Sequence, residues 1–161
     1  MNNPKLRSLE ELKQIVSSKK SDGSRIVFAN GCFDVLHVGH VRYLRDARDQ
    51  GDLLIVGLNS DESVRRLKGE GRPVLDQDHR AFLLAALECI DYILIFEDDT
   101  VDRLLIELKP HLHCKGGDYT PETVPEKETV EQYGGSTSIT GGGKVQSTRW
   151  LFEEIRRKYS G

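Results

Sequence analysis

An α/β fold, with a parallel sheet of about five strands covered by helices on both faces, is what the sequence predicts. Three observations predict it. Short apolar runs recur, as in Ile26-Val27-Phe28-Ala29 and Leu53-Leu54-Ile55-Val56, and such runs mark strands buried on both faces. Segments of helical periodicity alternate with them. The glycine-rich and charged clusters come directly after strands, where a parallel sheet places its ligands.

Each element has its own signal. Ser8 and Glu11 fit a capping box, and Leu9, Leu12, Ile15 and Val16 form one helical face. Residues 1–24 are therefore expected to form a helical extension ahead of a single domain at 25–161. Arg25–Asn30 reads as the first strand and Gly39–Gln50 as a helix, with Gly51-Asp52 as punctuation before a second strand at Leu53–Leu58. Glu62–Leu67 is weakly helical, Gly69–Pro73 is a loop, and Asp76–Glu88 is a helix with Phe82, Leu83, Ala86 and Leu87 as its apolar residues. Tyr92–Phe96 is a third strand, Thr100–Leu108 a helix stopped by Pro110, and Leu112–Lys115 a fourth strand. A loop with Pro121 and Pro125, a short helix at Glu128–Tyr133 and a weak strand at Ser136–Thr140 follow. Gly141–Gly143 reads as a flexible turn, and Ser147 or Thr148 caps a last helix to about Tyr159. Strands alternating with helices imply right-handed βαβ units, hence a Rossmann-like three-layer sandwich.

Composition narrows the function. A net charge of −3 gives no global attraction for nucleic acid or membrane, so a phosphate site must gather its positive charge locally. Cys32, Cys89 and Cys114 are odd in number and unpaired in spacing, which argues against a disulfide framework or structural zinc. Met1–Lys20 has no apolar core of a secretory signal, and no run approaches membrane-spanning length, so the cytosol is the expected compartment.

The strongest chemical signal is Gly31-Cys32-Phe33-Asp34-Val35-Leu36-His37-Val38-Gly39-His40, between the first strand and the following helix. Gly31 permits close backbone approach, and Gly39 removes a side chain where the histidines converge. His37 and His40, three apart at a helix start, share one face. Two imidazoles over the free N–H groups of a helix N-terminus suit a polyphosphate. Paired histidines can instead cap or pack, and zinc would need a third ligand that is not obvious here. Three further clusters follow strands or precede the last helix: Asn59-Ser60-Asp61 with Arg65, Arg66 and Lys68; Lys115-Gly116-Gly117-Asp118-Tyr119; and Gln146-Ser147-Thr148-Arg149. Taken alone these read as a solvated helix face, a strand-ending turn and a helix cap.

The first segment resembles the H-x-G-H signature of the cytidylyltransferase-like nucleotidyltransferases. The family's G-x-F-D-x-x-H-x-G-H matches at Gly31, Phe33, Asp34, His37, Gly39 and His40. The resemblance covers roughly residues 25–160 and implies the nucleotidyltransferase fold. It implies that His37, His40 and Lys68 carry catalysis by offsetting charge on the triphosphate, and that Phe33 and Asp34 shape a phosphate loop with Asn30, Gly31, Cys32 and Gly39. It places Asp61, Arg80, Lys115, Gly117, Asp118, Ser147 and Thr148 around the nucleotide. Arg149 stands where relatives carry a hydroxyl, and an arginine there is expected still to engage phosphate; the Thr140–Lys144 stretch departs from their pattern. Asn30-Gly31, Asn59-Ser60-Asp61, Lys68-Gly69, Arg72-Pro73-Val74 and the Lys115–Tyr119 run look most like the heptose-phosphate adenylyltransferases.

The implied reaction is in-line attack by a substrate phosphate on the α-phosphorus of an NTP, with pyrophosphate released. ATP with heptose 1-phosphate is the expected pair, and CTP with glycerol 3-phosphate or a similar alcohol phosphate is the alternative. A nucleotide-binding module without turnover is the reading from another class, and the intact Gly31–His40 motif argues against it. Mg²⁺ is expected on the substrate phosphates, with Asp34 the one protein carboxylate considered as a ligand. The resemblance also implies a homodimer and a separate sugar kinase in the same pathway. No nucleic-acid or membrane partner is expected.

Overall fold

A computed structural model describes residues 3–143 and 147–159. The chain runs α1 (Leu9–Ser21), β1 (Ile26–Gly31), α2 (Val38–Arg48), β2 (Leu53–Asn59), α3 (Asp61–Lys68), α4 (Gln77–Ala85), β3 (Tyr92–Phe96), α5 (Asp102–Leu108), β4 (Leu112–Gly116), α6 (Lys127–Gln132), β5 (Ser136–Thr140) and α7 (Thr148–Tyr159). All five strands pair in parallel, in the order β3-β2-β1-β4-β5. This is the Rossmann-like sandwich, and its strands are the apolar runs of the sequence.

The two faces of the sheet bury two cores. Tyr43, Leu44 and Ala47 of α2 and Ala81 and Leu84 of α4 pack on Val27, Ala29, Leu54 and Val56. Leu104, Leu105 and Leu108 of α5 and Val130 of α6 pack on Ile26, Phe28, Leu53 and Ile55 from the other side. Successive strand residues point to opposite faces, which is why adjacent residues of one strand enter different cores.

α1 belongs to the second core. Leu12 is fully buried and Val16 nearly so, among Ile26, Phe28 and Leu108. The Ser8–Glu11 capping box forms as the sequence predicts: the Ser8 hydroxyl accepts from the Glu11 N–H, and the Glu11 carboxylate accepts from the Ser8 N–H at 2.7 Å. Ahead of it, Leu6 bridges Ile93, so that residues 5–7 line the outer edge of β3. Edge strands are prone to non-native pairing, and this cover removes that exposure.

The strand order creates a switch point. β1 sends its connection to one side, toward β2, while β4 lies on its other flank. β1 and β4 stay paired only to Ala29 and Cys114, yet they continue to Gly31 and Gly116. Their C-terminal ends therefore part, and such a crevice is where ligands bind in open α/β sheets.

Because α1 fills the core, truncating it should destabilise the whole domain. Leu12→Ala is expected to cost about 2–5 kcal/mol, measured by urea unfolding. A loss below about 0.5 kcal/mol, the range of ordinary surface substitutions, would show that α1 is a detachable appendage.

Candidate active site

The loop that the resemblance assigns to phosphate leaves β1 at Gly31 and enters α2 at Val38. A side chain at Gly31 would press on the Phe33 ring at 3.1 Å. Phe33 holds a positive φ of 46°, a conformation that costs a non-glycine residue energy and persists where the surroundings fix it. Its buried ring stacks on Tyr43 and meets His40 edge-on at 5.1 Å between centroids.

His37 is the N-cap of α2, and its Nδ1 accepts the Gly39 N–H at 3.1 Å. That bond assigns the proton of neutral His37 to Nε2. His40, one turn on, stacks on His37 with ring centroids 3.8 Å apart. Burial lowers the His37 pKa, and burial together with His37 takes His40 down to about 4. At neutral pH the pair is therefore two uncharged rings. The His40 Nδ1 is buried without a hydrogen-bond partner among the described residues.

The loop is braced from beneath. Arg80 of α4 is fully buried, and its guanidinium donates to the carbonyls of Leu75 (2.9 Å), Cys32 (2.6 Å) and Asn59 (2.8 Å) and to Asp61 Oδ1 (2.6 Å). It thereby joins the ends of β1 and β2 to the starts of α3 and α4. With its side chain at 0% exposure, Arg80 cannot reach a phosphate, which revises the expectation that it binds one directly. Asp34 is 4% exposed. Its Oδ1 accepts the Val74 and Leu75 N–H groups at 2.7 and 3.2 Å, and its Oδ2 lies 3.0 Å from Arg72 Nη1. Neither Oδ2 nor Nη1 makes an aligned hydrogen bond, so this last contact is one of charge. Asp34 is a loop brace, with its Oδ1 committed to the Val74 and Leu75 amides.

Tyr43 spans the switch point. Its hydroxyl donates to the Cys114 carbonyl at 2.7 Å and accepts the Asn30 N–H at 3.3 Å, bridging β1 and β4 where the ladder ends. Asn30 also bonds the buried His113 through Oδ1 and Nε2 at 2.9 Å. Beyond β4, Lys115 is buried against Glu126 at 3.0 Å and lies 5.1 Å from the Tyr119 ring centre, so its charge is compensated inside the protein and not offered freely to a nucleotide. Gly117 and Asp118 occupy the exposed turn that follows. A Cβ on Gly117 would sit 2.3 Å from the Gly142 carbonyl, so only glycine fits where the β4 and β5 loops meet. The turn expected to be flexible is anchored: Gly141 donates to Asp46 at 3.0 Å and the Thr140 hydroxyl to the Tyr43 carbonyl at 3.2 Å.

These contacts bring the first three sequence clusters and the β5 turn to one end of the sheet. Lys68, Arg72 and Arg80 lie close enough to lower the Cys32 pKa, although burial outweighs them and leaves the thiol above its usual range. Cys32 is thus no thiolate nucleophile at neutral pH. Lys68 is exposed at the end of α3 beside that loop. At α7, Ser147 is the cap, accepting the Trp150 N–H at 3.1 Å. Ser147 and Thr148 are half-buried, and Arg149 is exposed. Lys144 and Gln146 lie outside the described residues.

The sequence from residue 28 to 159 matches the family described as Cytidylyltransferase-like. The chain belongs to the cytidylyltransferase-like nucleotidyltransferases. Among curated relatives, "Bifunctional protein HldE" of Pelobacter propionicus is 52% identical over 156 residues, 97% of this chain and 32% of that protein. The protein of the same name from Aliarcobacter butzleri is 48% identical over 130 residues, 81% of this chain and 27% of that one. The chain thus spans about a third of the length of such relatives. A solved structure of the lipopolysaccharide core biosynthesis protein from Thermoplasma volcanium is similar at 27% identity and a TM-score of 0.62, covering 73% of this chain and 94% of that one.

Within this candidate site, sequence reasoning missed Tyr43, His113 and Glu126, and it singled out Arg72 only as part of a motif, without a role. Tyr43 carried a weak signal, a hydroxyl three residues after His40 on the buried face of α2. Among the described residues no three His, Cys, Asp or Glu side chains are grouped to hold a metal ion, and no helix is long and apolar enough to cross a membrane.

The depressed His40 pKa makes a pH prediction. Between its ordinary value of 6.5 and about 4, the unfolded chain takes up a proton that the folded site refuses, so stability falls as pH drops through this window. Burial lowers the His113 pKa to about 3, and the same sign applies. His40→Gln should therefore flatten, without abolishing, the decline in melting temperature from pH 6.5 to 4. A slope unchanged by the substitution would contradict the burial of a neutral His40.

Proposed function

We propose that this chain transfers the adenylyl group of ATP to a heptose 1-phosphate, giving ADP-heptose and pyrophosphate. The observation that carries the chemistry is the stacked His37–His40 pair at the start of α2, seated beside the crevice between β1 and β4. The choice of substrate is supported by the Lys115-Gly116-Gly117-Asp118-Tyr119 run and by Arg72-Pro73-Val74. The relatives named HldE and the lipopolysaccharide core biosynthesis protein point the same way.

In this reading an oxygen of the sugar phosphate attacks the α-phosphorus in line. A new P–O bond forms, the bond to the β-phosphate oxygen breaks, and its electron pair leaves with pyrophosphate. The attacking oxygen is already anionic, so no strong general base is required. Catalysis rests on placement and on donors aimed at the growing charge. His37 supplies its Nε2–H, His40 a second imidazole, and the α2 terminus its free N–H groups. Lys68 adds an exposed cation from the end of α3. Magnesium on the triphosphate oxygens supplies further charge neutralisation when bound; the braced Asp34 suits a site in which substrate oxygens hold that ion.

A panel of NTPs against sugar and polyol phosphates, scored by pyrophosphate release, tests the assignment. ATP with a heptose 1-phosphate should give the highest kcat/KM. His37→Ala should lower kcat by about 10²–10³, the loss of one transition-state donor, while costing no more stability than a lost helix cap, about 0.5–2 kcal/mol. A tenfold preference for CTP, about 1.4 kcal/mol in transition-state binding, would replace the substrate and keep the chemistry. No pyrophosphate with any pair would leave a nucleotide-binding module.

A further inference from the structure

We propose that Arg72 is a positioning residue that seats α7 on the phosphate loop and so presents Ser147 and Thr148 to the NTP. The inference rests on the nucleotidyl-transfer reading of the site.

α7 is amphipathic in sequence, yet none of its residues is buried, and Trp150, Ile155 and Tyr159 are exposed. Tertiary packing of an apolar face is what fixes most helices in proteins, and α7 has little of it. A contact that does tie it down is made by Arg72, whose guanidinium lies 4.7 Å from the centre of the Phe152 ring. The same guanidinium lies 3.0 Å from Asp34 Oδ2. Asp34 in turn stands between Phe33 and His37 in the loop and ties down Val74 and Leu75. Arg72 therefore touches the phosphate loop on one side and the last helix on the other.

The contacts differ in kind from those of Arg80. Arg80 is locked by directional bonds to several acceptors. Arg72 is held by charge on one side and by ring stacking on the other, without an aligned hydrogen bond from Nη1. Such a side chain suits adjustable seating more than rigid bracing. Helix geometry gives the seating a consequence: Thr148 and Phe152 are four apart and share a face. Docking the Phe152 ring on Arg72 turns the Thr148 hydroxyl toward the same loop, while the Ser147 cap fixes the first turn. Arg149, next around the helix, is exposed.

The test uses Trp150, the only tryptophan in the chain, as a reporter for α7. Lysine at 72 keeps the charge facing Asp34 but loses the planar group that stacks on the ring. Arg72→Lys and Phe152→Leu should each increase acrylamide quenching of Trp150 fluorescence. Each should raise KM for the NTP about three- to tenfold, the scale of one cation–π contact, with kcat changed less. Phe152→Tyr, which keeps the ring, should behave as wild type, and the double variant should be no worse than either single one. Unchanged quenching, an unchanged KM, or additive effects in the double variant would overturn the proposal. A wild-type chain that turns over no NTP would instead sink the transferase reading, and the quenching arm would still report whether Arg72 seats α7.

Discussion

The guanidinium of Arg80 is the interaction on which the site depends. A parallel sheet delivers its strand ends to one edge but does not join the loops that follow, because each loop belongs to a different βα unit. Arg80 joins them. Its donors reach Cys32 after β1, Asn59 at the end of β2, Asp61 at the start of α3 and Leu75 ahead of α4. Burying a guanidinium is costly unless its donors find acceptors, and here acceptors from all those segments converge on it. Each bond to a charged group contributes about 1.5–3 kcal/mol, so distortion of any one loop is opposed by the others.

Asp34 and Tyr43 extend this bracing to the reacting groups. Asp34 ties the phosphate loop to residues 72–75, and Tyr43 spans the gap between β1 and β4. The histidine pair can then stay uncharged. Two imidazolium ions with centroids 3.8 Å apart would repel, and burial already disfavours the charge. Under the proposed function, a ligand would meet N–H dipoles fixed in place, which need little reorganisation as charge develops. The substrate's negative charge would itself favour protonation of the pair.

Much of this was legible in the sequence, and the parts that were not share a cause. The strands were legible because burial on both faces leaves uninterrupted apolar runs, and Tyr92–Phe96 and Ser136–Thr140 fall where the sequence puts them. His37 and His40 were legible as a pair because their spacing at a helix start puts them on one face; their stacking is a finding of the structure. Arg80 and Asp34 were seen as site residues, but their partners lie in other βα units, and periodicity within one unit carries no information about them. The same holds for Lys115, whose exposure depends on Glu126, eleven residues on and across a loop. α1 read as an extension because its apolar face names no partner; the sheet face of Ile26 and Phe28 supplies one.

Hydrogen exchange in an Arg80→Lys variant tests the bracing most directly, since lysine keeps the charge but cannot reach acceptors in several loops. The amide of Asp61 is bonded to the Gln77 side chain, and those of Val74 and Leu75 are bonded to Asp34. The account predicts that these three lose protection together, by about tenfold or more, while strand amides at Phe28 and Ile55 keep theirs. Unchanged exchange at Asp61, Val74 and Leu75, or a uniform loss across the whole sheet, would contradict the claim that Arg80 joins the loops into one site.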